Sequence, residues 1–82
     1  MIIDIPKFVA TEKAFWNELE SMLNRLEKDP HSQLSLGQAK RFTYLYQRAS
    51  SDLARIQSFS SEQELNGYLE SLVARSFSEI AV

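Results

Sequence analysis

Residues 41–56, RFTYLYQRASSDLARI, decide the fold of this 82-residue chain. Apolar and small side chains recur through this stretch in alternating three- and four-residue steps, the spacing that places them on one face of an α-helix. The inward side chains predicted for this helix are Ala39, Phe42, Tyr46, Ala49, Leu53 and Ile56, with Leu45 alongside. A stripe of this length predicts knobs-into-holes packing against neighbouring helices.

Capping signals set the bounds of this helix and of the one before it. Ser35 and Gln38 have the spacing of a capping box, which opens a central helix predicted over residues 36–58. An earlier helix is predicted over residues 5–28, because Asp4 is a suitable N-cap and a proline lies in the first turn. Its apolar positions form two adjacent stripes, one of Phe8, Phe15, Leu19, Met22 and Leu26 and one of Val9, Trp16 and Leu23.

The last periodic segment predicts a third helix over residues 61–80, opening at Ser60 or Ser61. Its apolar face comprises Leu65, Leu69, Leu72, Val73 and Ile80, with Tyr68 and Phe77 at the margins. Short connections force consecutive helices to run antiparallel. The predicted fold is therefore all-α, an antiparallel up-down-up three-helix bundle that forms one domain over residues 1–82.

Composition excludes several classes of protein. A formal net charge of -2 lacks the basic excess of a dedicated nucleic-acid binder. The chain has no cysteine, so it has no disulfide framework, thiolate nucleophile or thiolate zinc site. We expect no signal peptide, because the N-terminal residues include Asp4 and lack a basic region followed by a long apolar run, and no run of roughly 18 apolar residues occurs. The cytoplasm is the compartment that these features favour.

Catalytic constellations are missing as well. The only histidine, His31, lies in a predicted loop as a solvated imidazole, and no serine has a histidine partner. Gly37 and Gly67 stand alone, so no glycine-rich phosphate loop exists. Glu12 is predicted to be semi-buried in an ion pair with an arginine of the central helix. We therefore predict no enzymatic activity, no cofactor and no metal site.

The outer side of the central helix is the best candidate for a partner. At about 100° per residue, Tyr44 lies nearly opposite the core face and points outward. Arg41, Arg48 and Arg55 lie on the flank, where they are predicted to cover apolar side chains and to pair with carboxylates of neighbouring helices. Asp52 is interpreted as a further neutralising charge on this stripe. Tyr44 with the three arginines forms the candidate protein-interaction site.

One family resemblance covers nearly all of the chain. Residues 1–27, 34–59 and 64–80 resemble the N-terminal region of bacterial integral membrane proteins related to stage II sporulation protein M, and the LYQRASSDLA run at 45–54 is its most distinctive part. The resemblance implies a cytoplasmic helical region ahead of a multi-span membrane domain, without an established enzymatic activity. It places the domain at the cytoplasmic face of the bacterial inner membrane.

The expected partner is accordingly a protein, with no nucleic acid and with membrane attachment through a C-terminal region beyond this chain. The third helix shows neither a C-cap glycine nor a terminating proline before Val82, so we expect the native helix to continue. The alternative is a free-standing helical adaptor or regulatory protein, with a nucleic-acid association less favoured. The sequence leaves open whether the domain forms a homodimer.

Overall fold

The computed structural model describes residues 4–29, 31–59 and 62–80, and these residues form three helices without a strand. They are α1 (Ile5–Lys28), α2 (Leu36–Phe59) and α3 (Gln63–Ile80). The helices pack into an elongated bundle of 43 × 21 × 17 Å. The predicted all-α three-helix bundle is confirmed.

The predicted helix starts are confirmed for α1 and α2. Asp4 caps α1, and its carboxylate accepts a 3.2 Å hydrogen bond from the backbone N–H of Lys7. Ser35 and Gln38 form the reciprocal capping box at α2, since each accepts a hydrogen bond from the backbone N–H of the other, at 3.2 and 2.9 Å. The start predicted for α3 at residues 60–61 lies outside the described residues, and the helix itself begins at Gln63.

The core lies between all three helices. Its buried apolar side chains are Trp16, Leu19 and Leu23 of α1, Phe42, Leu45, Ala49 and Ile56 of α2, and Leu69 and Leu72 of α3. The inward face of α2 differs slightly from the prediction, because Leu45 is fully buried and Tyr46 is half-buried. A helix that packs against two neighbours buries a broader arc than a single stripe, and here the arc extends toward Leu45.

The prediction was wrong at the end of α3. Ile80 was expected in the core but is 44% exposed, and Phe77 is 57% exposed. Ser76 is buried instead, where its hydroxyl donates a 2.7 Å hydrogen bond to the Leu72 carbonyl. The guanidinium of Arg75 already binds Glu27, next to the last residue of α1. The last turn of α3 therefore extends past the end of α1 and has less to pack against.

Candidate functional site

Two arginines of α2 bind two glutamates of α1 in the same manner. Arg41 donates from Nε and Nη2 to the carboxylate of Glu18, at 2.7 and 2.8 Å. Arg48 donates from the same two nitrogens to Glu12, also at 2.7 and 2.8 Å. These bidentate pairs confirm that Arg41 and Arg48 bind carboxylates of a neighbouring helix and that Glu12 forms a semi-buried ion pair, whereas the same prediction was wrong for Arg55.

The two pairs differ in their exposure to water. Side-chain exposure is 39% for Glu18 but only 7% for Glu12. The hydrogen bonds from Arg48 lower the pKa of Glu12 and raise the pKa of Arg48 itself, so both groups stay charged. The Glu12–Arg48 pair therefore holds α1 and α2 in register at a largely dry position.

Tyr44 is exposed, as predicted, but its side chain is held by neighbours. Its hydroxyl accepts a 2.7 Å hydrogen bond from Nη1 of Arg48, and the guanidinium carbon of Arg41 lies 5.3 Å from its ring centroid. Its ring meets that of Phe15 edge-on, with 6.4 Å between centroids. The guanidinium of Arg48 also stacks 3.9 Å from the Phe15 ring centroid. We call Phe15, Arg41, Tyr44 and Arg48 the Tyr44 cluster.

Arg55 lies apart from this cluster. It is exposed and forms no hydrogen bond or ion pair with the residues that the structure describes. It lines a cleft of about 340 Å³ together with Glu12 of α1 and α2 side chains from Tyr44 onward. The structure thus brings three of the four predicted site residues into direct contact and places Arg55 at the rim of the adjoining cleft.

The structure corrects the role predicted for Asp52 beside the arginines of α2. Asp52 does not neutralise exposed arginines, because its side chain is buried, with 3% exposure, and its Oδ2 accepts a 2.9 Å hydrogen bond from Nε1 of Trp16. Two signals in the sequence could have found this contact. Asp52 continues the three- and four-residue steps from Ala49 to Ile56, and a buried indole N–H needs an acceptor.

The carboxyl groups of Asp52 and Glu12 are close neighbours in the α1–α2 interface. Burial, together with a hydrogen bond with Glu12, raises the pKa of Asp52 to about 7, while the Trp16 N–H opposes the shift. The pKa of Glu12 is lowered instead, mainly by Arg48. Below about pH 7 the proton of this acid pair therefore resides on Asp52, and Glu12 is the carboxylate that faces Arg48.

Other predicted or polar positions are simpler. His31 is exposed in the loop before α2. A third interhelical pair, which the sequence did not predict, joins Arg75 of α3 to Glu27 and Asn24 of α1 at 2.7 and 2.9 Å. Within the described ranges, no group of three or more histidine, cysteine or acidic side chains is arranged to hold a metal ion.

The fold and these pairs define a small all-α domain whose helices are joined by arginine–glutamate pairs. The chain belongs to the family described as Domain of unknown function (DUF8413), whose model matches residues 6–81. No curated protein and no solved structure matches it. None of the helices among the described residues has the length and hydropathy to cross a bilayer. The resemblance to proteins related to stage II sporulation protein M stays a prediction.

Proposed function

We propose that this domain is a non-enzymatic protein-interaction or scaffold domain whose partner packs on Tyr44. The observation that carries the proposal is the geometry of the Tyr44 cluster. Tyr44 keeps 42% of its surface exposed, yet its hydroxyl and its ring are both held by neighbouring side chains. An exposed aromatic side chain with this many contacts already has a defined conformation before any partner arrives.

Preorganisation matters because ordering a side chain during association costs free energy, on the order of 0.5–1.5 kcal/mol for each rotamer-rich group. Tyrosine and arginine are also enriched among the residues that dominate binding energy at protein interfaces. The guanidinium groups of Arg41 and Arg48 are held by Glu18 and Glu12 while their outer edges stay accessible. A partner would therefore meet a rigid surface that is apolar at Tyr44 and rich in hydrogen-bond donors around it.

The test is site-specific photocrosslinking in the native host. A photoreactive amino acid at Gln47, which is exposed beside Tyr44, should form an adduct with a partner that mass spectrometry identifies. Tyr44→Ala should abolish the adduct and weaken binding of the purified partner at least about tenfold, as removal of an interface anchor does. Phe77→Ala, which removes an exposed aromatic from α3, should leave both unchanged.

Circular dichroism provides the folding control. Tyr44→Ala should keep the helicity and nearly the melting temperature of the parent, because the side chain lies on the outside of α2. An adduct that persists in the Tyr44→Ala variant would count against the proposal, as would adducts that form only from a probe at Ser71 on α3.

We also propose the cellular setting that the sequence resemblance implies, namely the cytoplasmic face of the bacterial inner membrane in a protein related to stage II sporulation protein M. Its support is the resemblance over nearly the whole chain, with residues 45–54 as its most distinctive part. Fractionation of the full-length native product tests it. Retention in the membrane fraction after an alkaline wash is expected, and recovery in the soluble fraction would favour the free-standing adaptor.

A further inference from the structure

The arginines of α2 repeat every seven residues, but α1 supplies carboxylates for only two of them. Arg41 binds Glu18 and Arg48 binds Glu12, so a step of seven residues toward the C-terminus of α2 corresponds to a step of six residues toward the N-terminus of α1. The next step on α2 reaches Arg55, and the matching step on α1 reaches Ile5 and Pro6. Neither side chain carries a charge, so α1 gives Arg55 no directly paired carboxylate at this register, and Arg55 acts on Glu12 only through space, where it helps to lower the pKa of that carboxylate.

The outer face of α2 is accordingly positive. Its sequence contains one acidic residue, Asp52, and that side chain is buried. Lys40 and Arg55 are both exposed and form no ion pair with the part of the chain that the structure describes. Tyr44 lies between these two cations, which are separated by about 22 Å along the helix.

We infer that this face of α2, from Lys40 to Arg55, binds an acidic segment of a partner protein, with a partner carboxylate on Arg55 and an apolar side chain on Tyr44. The inference rests on the proposed function, since it specifies the partner chemistry at the same surface. A guanidinium with free N–H donors binds a carboxylate through two parallel hydrogen bonds, the geometry that α1 already provides for Arg41 and Arg48.

Charge favours a protein segment over nucleic acid. Binding to a phosphate backbone draws its affinity from many cations that displace counterions. Here Arg41 and Arg48 are neutralised by glutamates, and the whole chain has a formal charge of -2. Two separated cations that form no ion pair with the described residues suit one or two carboxylates beside an apolar contact.

The test uses a displayed library of random 16-residue peptides, panned against the purified domain. Enriched peptides are synthesised with a fluorophore, and their affinity is measured by fluorescence anisotropy at 150 mM salt. We expect them to be richer in aspartate and glutamate than the library and to lose at least about tenfold in affinity for Arg55→Gln. Lys13→Gln, which removes an equal charge from an exposed position on α1, should bind as the parent does.

Charge exchange provides the sharper measurement. Arg55→Glu should lose affinity for the acidic peptide. A peptide in which the contacting acid is replaced by lysine should bind the Arg55→Glu variant but not the parent. Arg55→Gln should nearly retain the parent melting temperature, because Arg55 is exposed and forms no hydrogen bond or ion pair with the described residues. Arg55→Glu should lower it slightly, because it reverses a charge that acts on Glu12 through space.

Each other outcome is informative. Failure to enrich acidic peptides, or equal losses for Arg55→Gln and Lys13→Gln, overturns the inference. If the domain binds a labelled 20-nucleotide DNA more tightly than the peptides, the face is assigned to nucleic acid. If sedimentation shows that the domain self-associates and Arg55→Glu abolishes this, the face is assigned to a second copy of the chain. Peptides that lose affinity for Tyr44→Ala but not for Arg55→Gln would overturn the acidic partner and leave Tyr44 as the anchor. Peptides that lose affinity for Arg55→Gln but not for Tyr44→Ala would overturn Tyr44 as the anchor of the proposed function.

Discussion

The indole nitrogen of Trp16 donates a 2.9 Å hydrogen bond to Oδ2 of Asp52 across the buried interface of α1 and α2. Each side chain is only 3% exposed. The bond satisfies the indole donor in the core, and it places an ionisable group where its charge is poorly solvated by water. The stability of the domain should therefore depend on the protonation of Asp52.

Stability should fall as the pH rises from 5.5 to 8. In the folded protein the pKa of Asp52 is raised to about 7 from an ordinary value of 3.8, so the folded state holds a proton that the unfolded state has lost. The stabilisation is complete below the ordinary value and is lost as the pH rises through 7. The lowered pKa of Glu12 acts in the opposite direction but only below about 4.5, outside this range. Urea unfolding at both pH values measures the change.

Asp52→Asn is the matched variant for this experiment. Its amide oxygen can still accept the Trp16 hydrogen bond, but the group no longer ionises. The unfolding midpoint of the variant should be nearly the same at pH 5.5 and pH 8. A slope equal to that of the parent would show that another group causes the pH dependence.

Removing Arg48 should destabilise the domain more than removing Arg41. Arg48→Ala leaves the carboxylate of Glu12 buried without a counterion, whereas Arg41→Ala leaves Glu18 with access to water. The melting temperature should fall by several degrees for the first variant and change little for the second. Adding Glu12→Gln to Arg48→Ala should recover part of the loss, because the unpaired charge is gone. Equal effects of the two arginine variants would show that burial of the carboxylate does not matter.

Truncation in the core should be costly at Phe42. This side chain is 4% exposed, and Phe42→Ala should reduce the free energy of unfolding by about 3–5 kcal/mol. Leu36→Ala, at a position that is 73% exposed, should change it by less than about 0.5 kcal/mol. Urea unfolding followed by circular dichroism compares them, and Phe42→Leu provides an intermediate where the alanine variant does not fold. A small loss at Phe42 would remove it from the core.

Replacing Gly67 should stabilise the protein. Gly67 lies inside α3 with a negative φ, and a Cβ at this position would meet nothing within 4 Å. Alanine restricts the unfolded chain and favours the helix, so Gly67→Ala should add about 0.5–1 kcal/mol to the free energy of unfolding. Gly37→Ala, in the first turn of α2, should add less because that turn is only partly formed by intrahelical hydrogen bonds. Thermal unfolding measures both, and a loss at Gly67 would indicate a steric or functional constraint there.

Local interactions explain why the sequence predicted so much of this fold. Helix existence depends on side-chain periodicity over short distances, and helix starts depend on caps within three residues, as at Asp4 and the Ser35–Gln38 box. The outward direction of Tyr44 follows from the same geometry. The prediction of flanking arginines that pair with acids also needed only the face and the charge of each helix.

Local patterns could not identify which side chains contact each other across a helix interface. The sequence by itself determined three amphipathic helices, two of their caps and an exposed Tyr44, because each depends on neighbours within a few residues. Only the tertiary structure decided that Asp52 is buried against Trp16, that Glu12 and Glu18 bind two of the arginines while Arg55 forms no ion pair with the described residues, and that Ile80 is exposed. These contacts depend on the axial register of one helix against another, which is set by the summed packing of the whole core and not by any local pattern.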